Sequence, residues 1–296
     1  MVSDCCPVLW QADGRSAVVL PAGVMVLTRP LVFNTSEQWA PGLKLEGAGV
    51  GVSVLDNRVQ SSAAVIARSV AKYHFQLGGW IRDLTINSST HPLNSSGIEV
   101  EGVYNFVVDS VWIDGMTGDG MVNTNLMMDG DAAIELQVLN SWFLNNKGHG
   151  FNSNFGFCNN SLGCTTPNVQ SSFATFKNNY FSSNQKPALR YMGLNGVLEG
   201  NGFTTNPAGG LLLDYSGSNN AQFTAVANSF ENNGSPAIDI RSAIGAHFTE
   251  TEIAQSVPQE FPSNCGIAVG TEILDRWQVV YTTVFEDTYL LRTKSM

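Results

Sequence analysis

An aspartate and a histidine occupy equivalent places in successive units of a repeating pattern. Asp119 and His149 each precede a glycine that opens a short segment of alternating apolar residues. If successive units stack, the two side chains come within reach of each other and suit acid–base chemistry. The alternation of side chains along the same segments turns Glu99, Asn152 and Arg190 outward toward this pair. We therefore expect one chemically active patch built from several units.

The elements that must position this patch are short strands. An Asn-rich turn and an aromatic strand lead each time to a small-residue corner, at Gly97, Gly120, Gly150, Ala188, Gly210 and Ala237. The strands that follow the corners are Ile98–Glu101, Met121–Thr124, Phe151–Asn154, Leu189–Met192, Leu211–Asp214 and Ile238–Arg241. A strand repeat without helical periodicity is typical of a solenoid of β-coils. We predict an all-β, single-stranded parallel β-helix.

The corners are separated by 23, 30, 38, 22 and 27 residues. The shortest spacing accommodates three short strands and their turns, so the longer units must carry loops. The pattern places the two longest loops at one corner, at Asn125–Ile134 and Phe155–Gln170. Since insertions in solenoids commonly decorate the binding face, we expect them to form a wall beside a cleft.

Stacking of the coils also predicts columns of structural side chains. Amides in a column can hydrogen-bond along the stack and satisfy the turn backbone, and inward aromatic rings fill the core. The predicted polar columns are Asn179, Asn201 and Asn228, and beside them Asp109, Asn140 and Asn178; the aromatic column is Phe143, Phe181, Phe203 and Phe230. We assign these residues, and the inward Tyr191, to structure and not to chemistry.

Composition limits the class of protein. With 43% hydrophobic residues in 296, the chain can bury one long core and needs no second one. The net charge of −10, with only 15 Lys and Arg, argues against a nucleic-acid partner. No apolar run approaches the length of a membrane span, and the N-terminus lacks the layout of a signal peptide. We expect no membrane partner.

The cysteines and glycosylation motifs favour a secreted protein. Cys158 and Cys164 lie in the same predicted loop, where a disulfide would stiffen the rim. The remaining cysteines are Cys5, Cys6 and Cys265, and the set lacks metal-ligand spacing. Five Asn-x-Ser/Thr motifs, at Asn34, Asn87, Asn94, Asn159 and Asn233, also favour an extracellular location.

The stretch VVLPAGVMVLTRPL at residues 18–31, followed by LKLEGAG at 43–49, resembles the opening coils of a known superfamily. This is the right-handed parallel β-helix superfamily of pectate lyases, polygalacturonases and phage tailspike depolymerases. The resemblance covers about residues 17–250 and implies a right-handed helix. From Ala246 the repeat fades, so we predict a β-helix over residues 1–250 and a C-terminal strand or cap segment over 251–296.

Gly148-His149-Gly150 resembles the Gly-His-Gly of polygalacturonase-type glycoside hydrolases. In that resemblance Asp119 matches the second aspartate of an Asp-Asp pair, and Arg190 matches the arginine of an Arg-Ile-Lys strand. The chain departs from the pattern at three further positions: Gly118, Ser96 and Met192 stand where the family has Asp, Asp and Lys. These departures bring the hydrolytic assignment into question.

Cleavage of an acidic, uronate-containing polysaccharide is the predicted function, with hydrolysis slightly preferred. In hydrolysis Asp119 is the general acid and Glu99 the base, while His149 tunes Asp119. Arg190, together with Asn152, Asn154 and Glu101, is predicted to bind the substrate.

Two alternatives stay open at this point. In a lyase, His149 is the base and Arg190 neutralises the uronate carboxylate, with Ca²⁺ held by Asp129 and Asp131 as weak candidates. No other cofactor is expected. A non-catalytic, glycan-binding or structural β-helix is the third possibility, and the chain is expected to be a monomer or a homotrimer.

Overall fold

The computed structural model describes residues 17–35, 40–69, 76–124, 133–154, 172–193, 195–214, 222–234, 236–242, 245–257, 267–269, 283–286 and 289–294. Within these ranges the regular structure is all β-strand. The strands form one nine-stranded sheet, called here the small sheet, and one twenty-stranded sheet, the large sheet. Their pairings are parallel throughout, for example Phe151↔Leu189 and Phe181↔Phe203. The predicted right-handed parallel β-helix is confirmed.

The small sheet contains one strand from each coil. Its members are β3 (Leu31–Thr35), β7 (Ala63–Ser69), β10 (Ser96–Glu101), β12 (Met121–Thr124), β15 (Phe151–Asn154), β18 (Leu189–Tyr191), β21 (Leu211–Asp214), β24 (Ile238–Ser242) and β27 (Ile267–Val269). Six of these strands coincide, within a residue or two at their ends, with the strands predicted from the repeat.

The large sheet wraps around the other sides of the coil. Its members are β1 (Val18–Val19), β2 (Gly23–Leu27), β4 (Ala40–Pro41), β5 (Lys44–Glu46), β6 (Ser53–Asn57), β8 (Gln76–Leu77), β9 (Trp80–Asn87), β11 (Val103–Asp114), β13 (Ala133–Leu139), β14 (Trp142–Leu144), β16 (Ser172–Lys177), β17 (Tyr180–Ser182), β19 (Asn195–Glu199), β20 (Gly202–Thr204), β22 (Gln222–Val226), β23 (Ser229–Glu231), β25 (Gly245–Thr249), β26 (Glu252–Val257), β28 (Thr283–Glu286) and β29 (Tyr289–Lys294).

The core is a stack of apolar layers inside the coil. Phe143, Phe181, Phe203 and Phe230 are fully buried, and neighbouring rings lie 4.9, 5.0 and 4.5 Å apart with nearly parallel planes. This is the predicted aromatic column. Because each ring fills the space above the next, the column fixes the register between coils.

Two amide ladders flank the aromatic strands, one before and one after them. In the predicted ladder, Asn201 Oδ1 accepts the backbone N–H of Asn179 at 2.9 Å, and Asn228 Oδ1 accepts that of Asn201 at 2.9 Å. A second ladder, which the sequence analysis did not identify, repeats these contacts five residues later along the chain. It contains Asn146, Asn184, Asn206 and Asn233. The ladders satisfy backbone groups where the chain turns inside the stack.

The turn beside the first ladder carries the predicted outer column with one correction: Asp109 stands in register with Leu139, so Ser110 and not Asp109 is the equivalent of Asn140. Asn140 donates to Asp109 at 2.8 Å and Asn178 donates to Asn140 at 3.3 Å. Both asparagines have left-handed backbone, with φ of 48° and 55°. Asparagine tolerates this conformation well, so the column makes the same tight corner in successive coils.

Strands near the C-terminus continue both sheets in register. β27 pairs with β24 in the small sheet, while β28 and β29 pair with β25 and β26 in the large sheet. The boundary between a helix over residues 1–250 and a cap over 251–296 stays a prediction. None of the residues that the structure describes belongs to a helix able to span a membrane.

Candidate active site

The predicted corner row is present at the start of the small sheet. Ser96 Oγ accepts the backbone N–H of Asp119 at 3.2 Å, and Asp119 Oδ1 accepts that of His149 at 2.7 Å. The Nδ1 of His149 lies 2.6 Å from the carbonyl oxygen of Pro187 in the following coil. The structure therefore brings Asp119 and His149 together across adjacent coils.

Asp119 is held as a brace between two coils. Its second oxygen, Oδ2, accepts the Nδ2 amide of Asn152 at 2.8 Å, so donors occupy both carboxylate oxygens. A side chain at Gly148 would collide with this carboxylate and with the backbone of Gly118, which explains the glycine before His149. The Asp119 carboxylate contacts the histidine through its main chain and not through its ring.

His149 is a buried, neutral imidazole. The residue is only 6% exposed to solvent. Its Nδ1 carries a proton, because the Pro187 carbonyl oxygen can only accept a hydrogen bond. Burial lowers the pKa of His149 and outweighs the Asp119 carboxylate, which raises it; Lys186 and Arg190 lower it further. Among the described residues none bonds to Nε2, so this nitrogen keeps a free lone pair.

Arg190 lies beside this pair on the outer face of the small sheet. It stands in register with Asn152 of the preceding coil, and its Nη2 lies 2.9 Å from Asp214 Oδ2 of the following coil. We call Asp119, His149, Asn152, Arg190 and Asp214 the site row. The row alternates acceptors and donors along four successive coils, an arrangement able to bind an anionic group beside a base.

Glu99 and Glu101, predicted to join the patch, both form ion pairs with Arg68 on the preceding coil. Arg68 Nη2 contacts Glu99, and Arg68 Nε lies 3.2 Å from Glu101 Oε2. Val122 stands in register between Glu99 and Asn152. The Glu99 carboxylate is therefore engaged by a guanidinium on the side away from Asp119, and the predicted hydrolytic pair of Glu99 and Asp119 stays a prediction.

Three outward side chains of the small sheet are almost fully buried. Thr124, Leu212 and Met192 all point outward by alternation yet are 1%, 5% and 7% exposed. On the same face the charged side chains pair with partners one coil away, as in Arg68–Glu99 and Arg190–Asp214.

Several predicted features lie outside the described residues. They are residues 125–132 of the first insertion, the whole insertion at 155–170, all five cysteines, Asp129 and Asp131, and the side chain of Asn154. Ala133 and Ile134, predicted as the end of the first loop, instead begin strand β13. In the part of the chain that is described, no three His, Cys, Asp or Glu side chains are arranged to hold a metal ion. The Ca²⁺ site therefore stays a prediction.

Sequence reasoning missed two polar residues directly beneath the site row. Asn123 and Ser153 are fully buried on the inner face of β12 and β15, where the other coils place Val100, Leu213 and Ile240. The alternation alone identifies both as inward positions, so their polarity was a signal available in the sequence. Ser153 Oγ has no hydrogen-bond partner among the described residues.

Comparison with known proteins shows the fold. No protein-family model matches the sequence, and no curated protein matches it. Among solved structures, an alginate lyase from Paenibacillus sp. str. FPU-7 aligns with a TM-score of 0.54 at 14% identity, covering 96% of this chain and 93% of that one. This alignment over nearly the whole length agrees with the β-helix described above.

Two further solved structures align less closely. The A-module of the mannuronan C-5 epimerase AlgE4 from Azotobacter vinelandii has a TM-score of 0.38 at 13% identity, covering 95% of this chain and 91% of that one. ORF18 of Geobacillus virus E2 has a TM-score of 0.42 at 14% identity over 80% of this chain. The aligned region spans 54% of the viral chain.

Proposed function

We propose that this protein cleaves an acidic, uronate-containing polysaccharide by β-elimination. One observation carries the proposal: a neutral His149 with a free Nε2 lies in the same site row as the cation Arg190. A base and a carboxylate-binding cation on one sheet are the two groups that this reaction requires.

The reaction uses these groups in sequence. The Nη2 group of Arg190 donates a hydrogen bond to Asp214, and the guanidinium has further N–H donors for the uronate carboxylate. Neutralising that carboxylate acidifies the adjacent C5–H bond. Nε2 of His149 takes the C5 proton, the electron pair forms a C4=C5 double bond, and the C4–O bond breaks. The imidazolium then returns its proton to the departing oxygen.

Hydrolysis, the reaction preferred from the sequence, has less support from the geometry. It needs two carboxylates free to act as acid and base. Donors occupy both oxygens of Asp119, and Glu99 is paired with Arg68. A base plus a cation is therefore the better description of this site.

A non-catalytic β-helix that only binds glycan is the second candidate. The low exposure of Thr124 and Leu212 favours it, since a closed outer face limits access of a polymer to the sheet. We also propose that the protein is secreted, where a polysaccharide would be encountered, and that it acts as a monomer or homotrimer.

Alginate is the first substrate to test, because the solved structure with a TM-score of 0.54 is an alginate lyase; polygalacturonate is the second. We expect the wild-type protein to produce the ultraviolet absorbance of a conjugated double bond, and His149→Gln to abolish it. The matched control is His247→Gln, which changes an exposed histidine of the large sheet.

The same assay separates the alternatives. Reducing ends without ultraviolet absorbance would indicate hydrolysis. Retention of the protein on immobilised polysaccharide without any product would indicate binding only. Full double-bond formation by His149→Gln would remove His149 as the base.

A further inference from the structure

Phe173, the second residue of β16, is an exposed aromatic side chain on an unfavourable backbone. It is 57% exposed, whereas Phe176 and Phe181 on the same coil are fully buried. Its φ of 56° lies in the left-handed region, which a bulky side chain adopts rarely. Both properties act against the stability of the fold.

The left-handed conformation belongs to the position and not to phenylalanine. In successive coils the equivalent residues are Gly78, Asn105, Glu135 and Phe173, with φ of 65°, 53°, 55° and 56°. Glycine and asparagine suit this corner best, so Phe173 is the least favourable of the four.

Another left-handed residue shows what compensation looks like. Thr205, in a different corner, also has positive φ, but its hydroxyl donates to the carbonyl oxygen of Thr204 at 2.7 Å. A phenyl ring has no polar atom for such a bond. The unfavourable backbone of Phe173 is therefore not offset by a hydrogen bond of its own side chain.

The position of Phe173 connects it with the site row. It lies on the coil of His149, at the corner where the chain returns from the predicted insertion at residues 155–170. Its neighbour on the next coil is Asn195, five residues after Arg190. Five residues of extended chain plus one coil spacing place the Phe173 and Arg190 backbones within about 22 Å. A short oligosaccharide reaches from one to the other.

We infer that Phe173 is a saccharide-stacking subsite, which binds the flat C–H face of a pyranose ring on a substrate that extends from the site row. The inference rests on the proposed polysaccharide substrate. The exposed Glu135 and Asn105, in the same column, supply hydrogen-bond partners for the hydroxyl groups of that sugar. Recognition through C–H groups and hydroxyls requires no carboxylate on the stacked unit.

The test combines stability and affinity in the His149→Gln background, where turnover cannot consume the ligand. Phe173→Asn should raise the melting temperature, because asparagine tolerates the corner, and should weaken binding of alginate oligosaccharides by about three- to tenfold. Phe173→Tyr should keep the affinity. Ala227→Asn, at an exposed positive-φ corner of a different column, is the control: it should also raise the melting temperature and leave the affinity unchanged.

Each outcome decides the inference. A lower melting temperature in Phe173→Asn would make the ring a structural residue, and unchanged affinity would remove the subsite. If the wild type cleaves alginate by β-elimination but Phe173→Asn binds oligosaccharides with normal affinity, the proposed subsite is wrong and the proposed reaction stands. If oligosaccharides bind and Phe173→Asn weakens them without any turnover by wild type, the subsite stands and the proposed reaction fails. Absence of saccharide binding by wild type overturns both.

Discussion

At the scale of single residues, the direction of a hydrogen bond decides the role of a side chain. Asp119 and His149 were predicted to touch, and they do, but the aspartate accepts the main-chain N–H of the histidine. Which atom of His149 faces Asp119 depends on the turn at Gly148, and residue type alone does not specify that turn. The predicted neighbours were therefore correct, while the chemistry between them required the structure.

The substitution Asp119→Asn tests whether Asp119 positions His149 and Asn152 or acts as the general acid. The amide cannot accept from both His149 and Asn152, so the imidazole shifts, and we expect elimination to fall about 10- to 100-fold. Because the Asp119 carboxylate raises the pKa of His149, the acidic limb of the pH–rate profile should move to lower pH. Loss of the alkaline limb with the acidic limb unchanged would instead indicate that Asp119 is the acid.

The burial of His149 makes stability depend on pH. Its pKa is lowered in the folded state, so the unfolded chain binds more protons between that pKa and about 6.5, the ordinary value for histidine. The free energy of unfolding should therefore rise with pH through this window and be lowest below it. Urea titrations from about pH 5 to about pH 8 should show this slope, reduced in His149→Gln. An equal slope in both proteins would contradict the prediction.

Ser153 offers a stabilising substitution. Its hydroxyl is fully buried without a partner among the described residues, so Ser153→Ala removes an unpaired polar group and should stabilise the fold by about 1 kcal/mol. Ser141→Ala is the control, because that buried hydroxyl donates to Leu139 and accepts from Val111. Chemical denaturation should move the two variants in opposite directions; destabilisation of Ser153→Ala would indicate an undetected partner.

At the scale of elements, the ladders were predictable because stacking converts a sequence period into a spatial column. The ladder through Asn179, Asn201 and Asn228 follows directly from the spacing of the corners. The second ladder has the same spacing, five residues later. It was missed although its asparagines stand four residues before the predicted small-residue corners. Both ladders are buried, so their amides replace water as partners for the turn backbone.

Asn201→Ala measures the contribution of a buried ladder. The substitution leaves the N–H of Asn179 and the carbonyl of Phe176 without their partner, and we expect a loss of about 2–5 kcal/mol of unfolding free energy. Asn178→Ala, in the exposed outer column, should cost less than about 1 kcal/mol beyond the strain of its positive φ. Thermal unfolding of the two variants compares them, and equal losses would show that burial does not matter.

At the scale of the whole molecule, the fold was predictable and the site was only partly so. A solenoid is specified by local rules repeated along one axis, which a single sequence displays. The choice of ionic partners is different. Arg68 pairs with two glutamates, and Arg190 pairs with Asp214. Which carboxylate each arginine binds depends on the direction of its side chain within a column that also contains other charged residues. Composition and period do not determine those directions.

The same one-dimensional organisation predicts uneven protection from hydrogen exchange. Amides of β14, β17, β20 and β23, which carry the phenylalanine column between the two ladders, should exchange slowest. Amides of β1 and β2 should exchange fastest, since Val19 and Val24 are 67% and 68% exposed at one end of the stack. Mass spectrometry of exchanged peptides measures this gradient. Uniform protection would indicate that the molecule opens only as a single unit.

The phenylalanine column and its flanking ladders have an evolutionary consequence. The coils of Phe181, Phe203 and Phe230 present their neighbours with the same set of rings and amides, so a duplicated copy of residues 195–221 would find matching partners above and below it. Such a molecule would be longer by one coil while the site row stayed intact. Growth by tandem duplication, with later divergence of the surface, is therefore an accessible route by which such a protein gains new subsites.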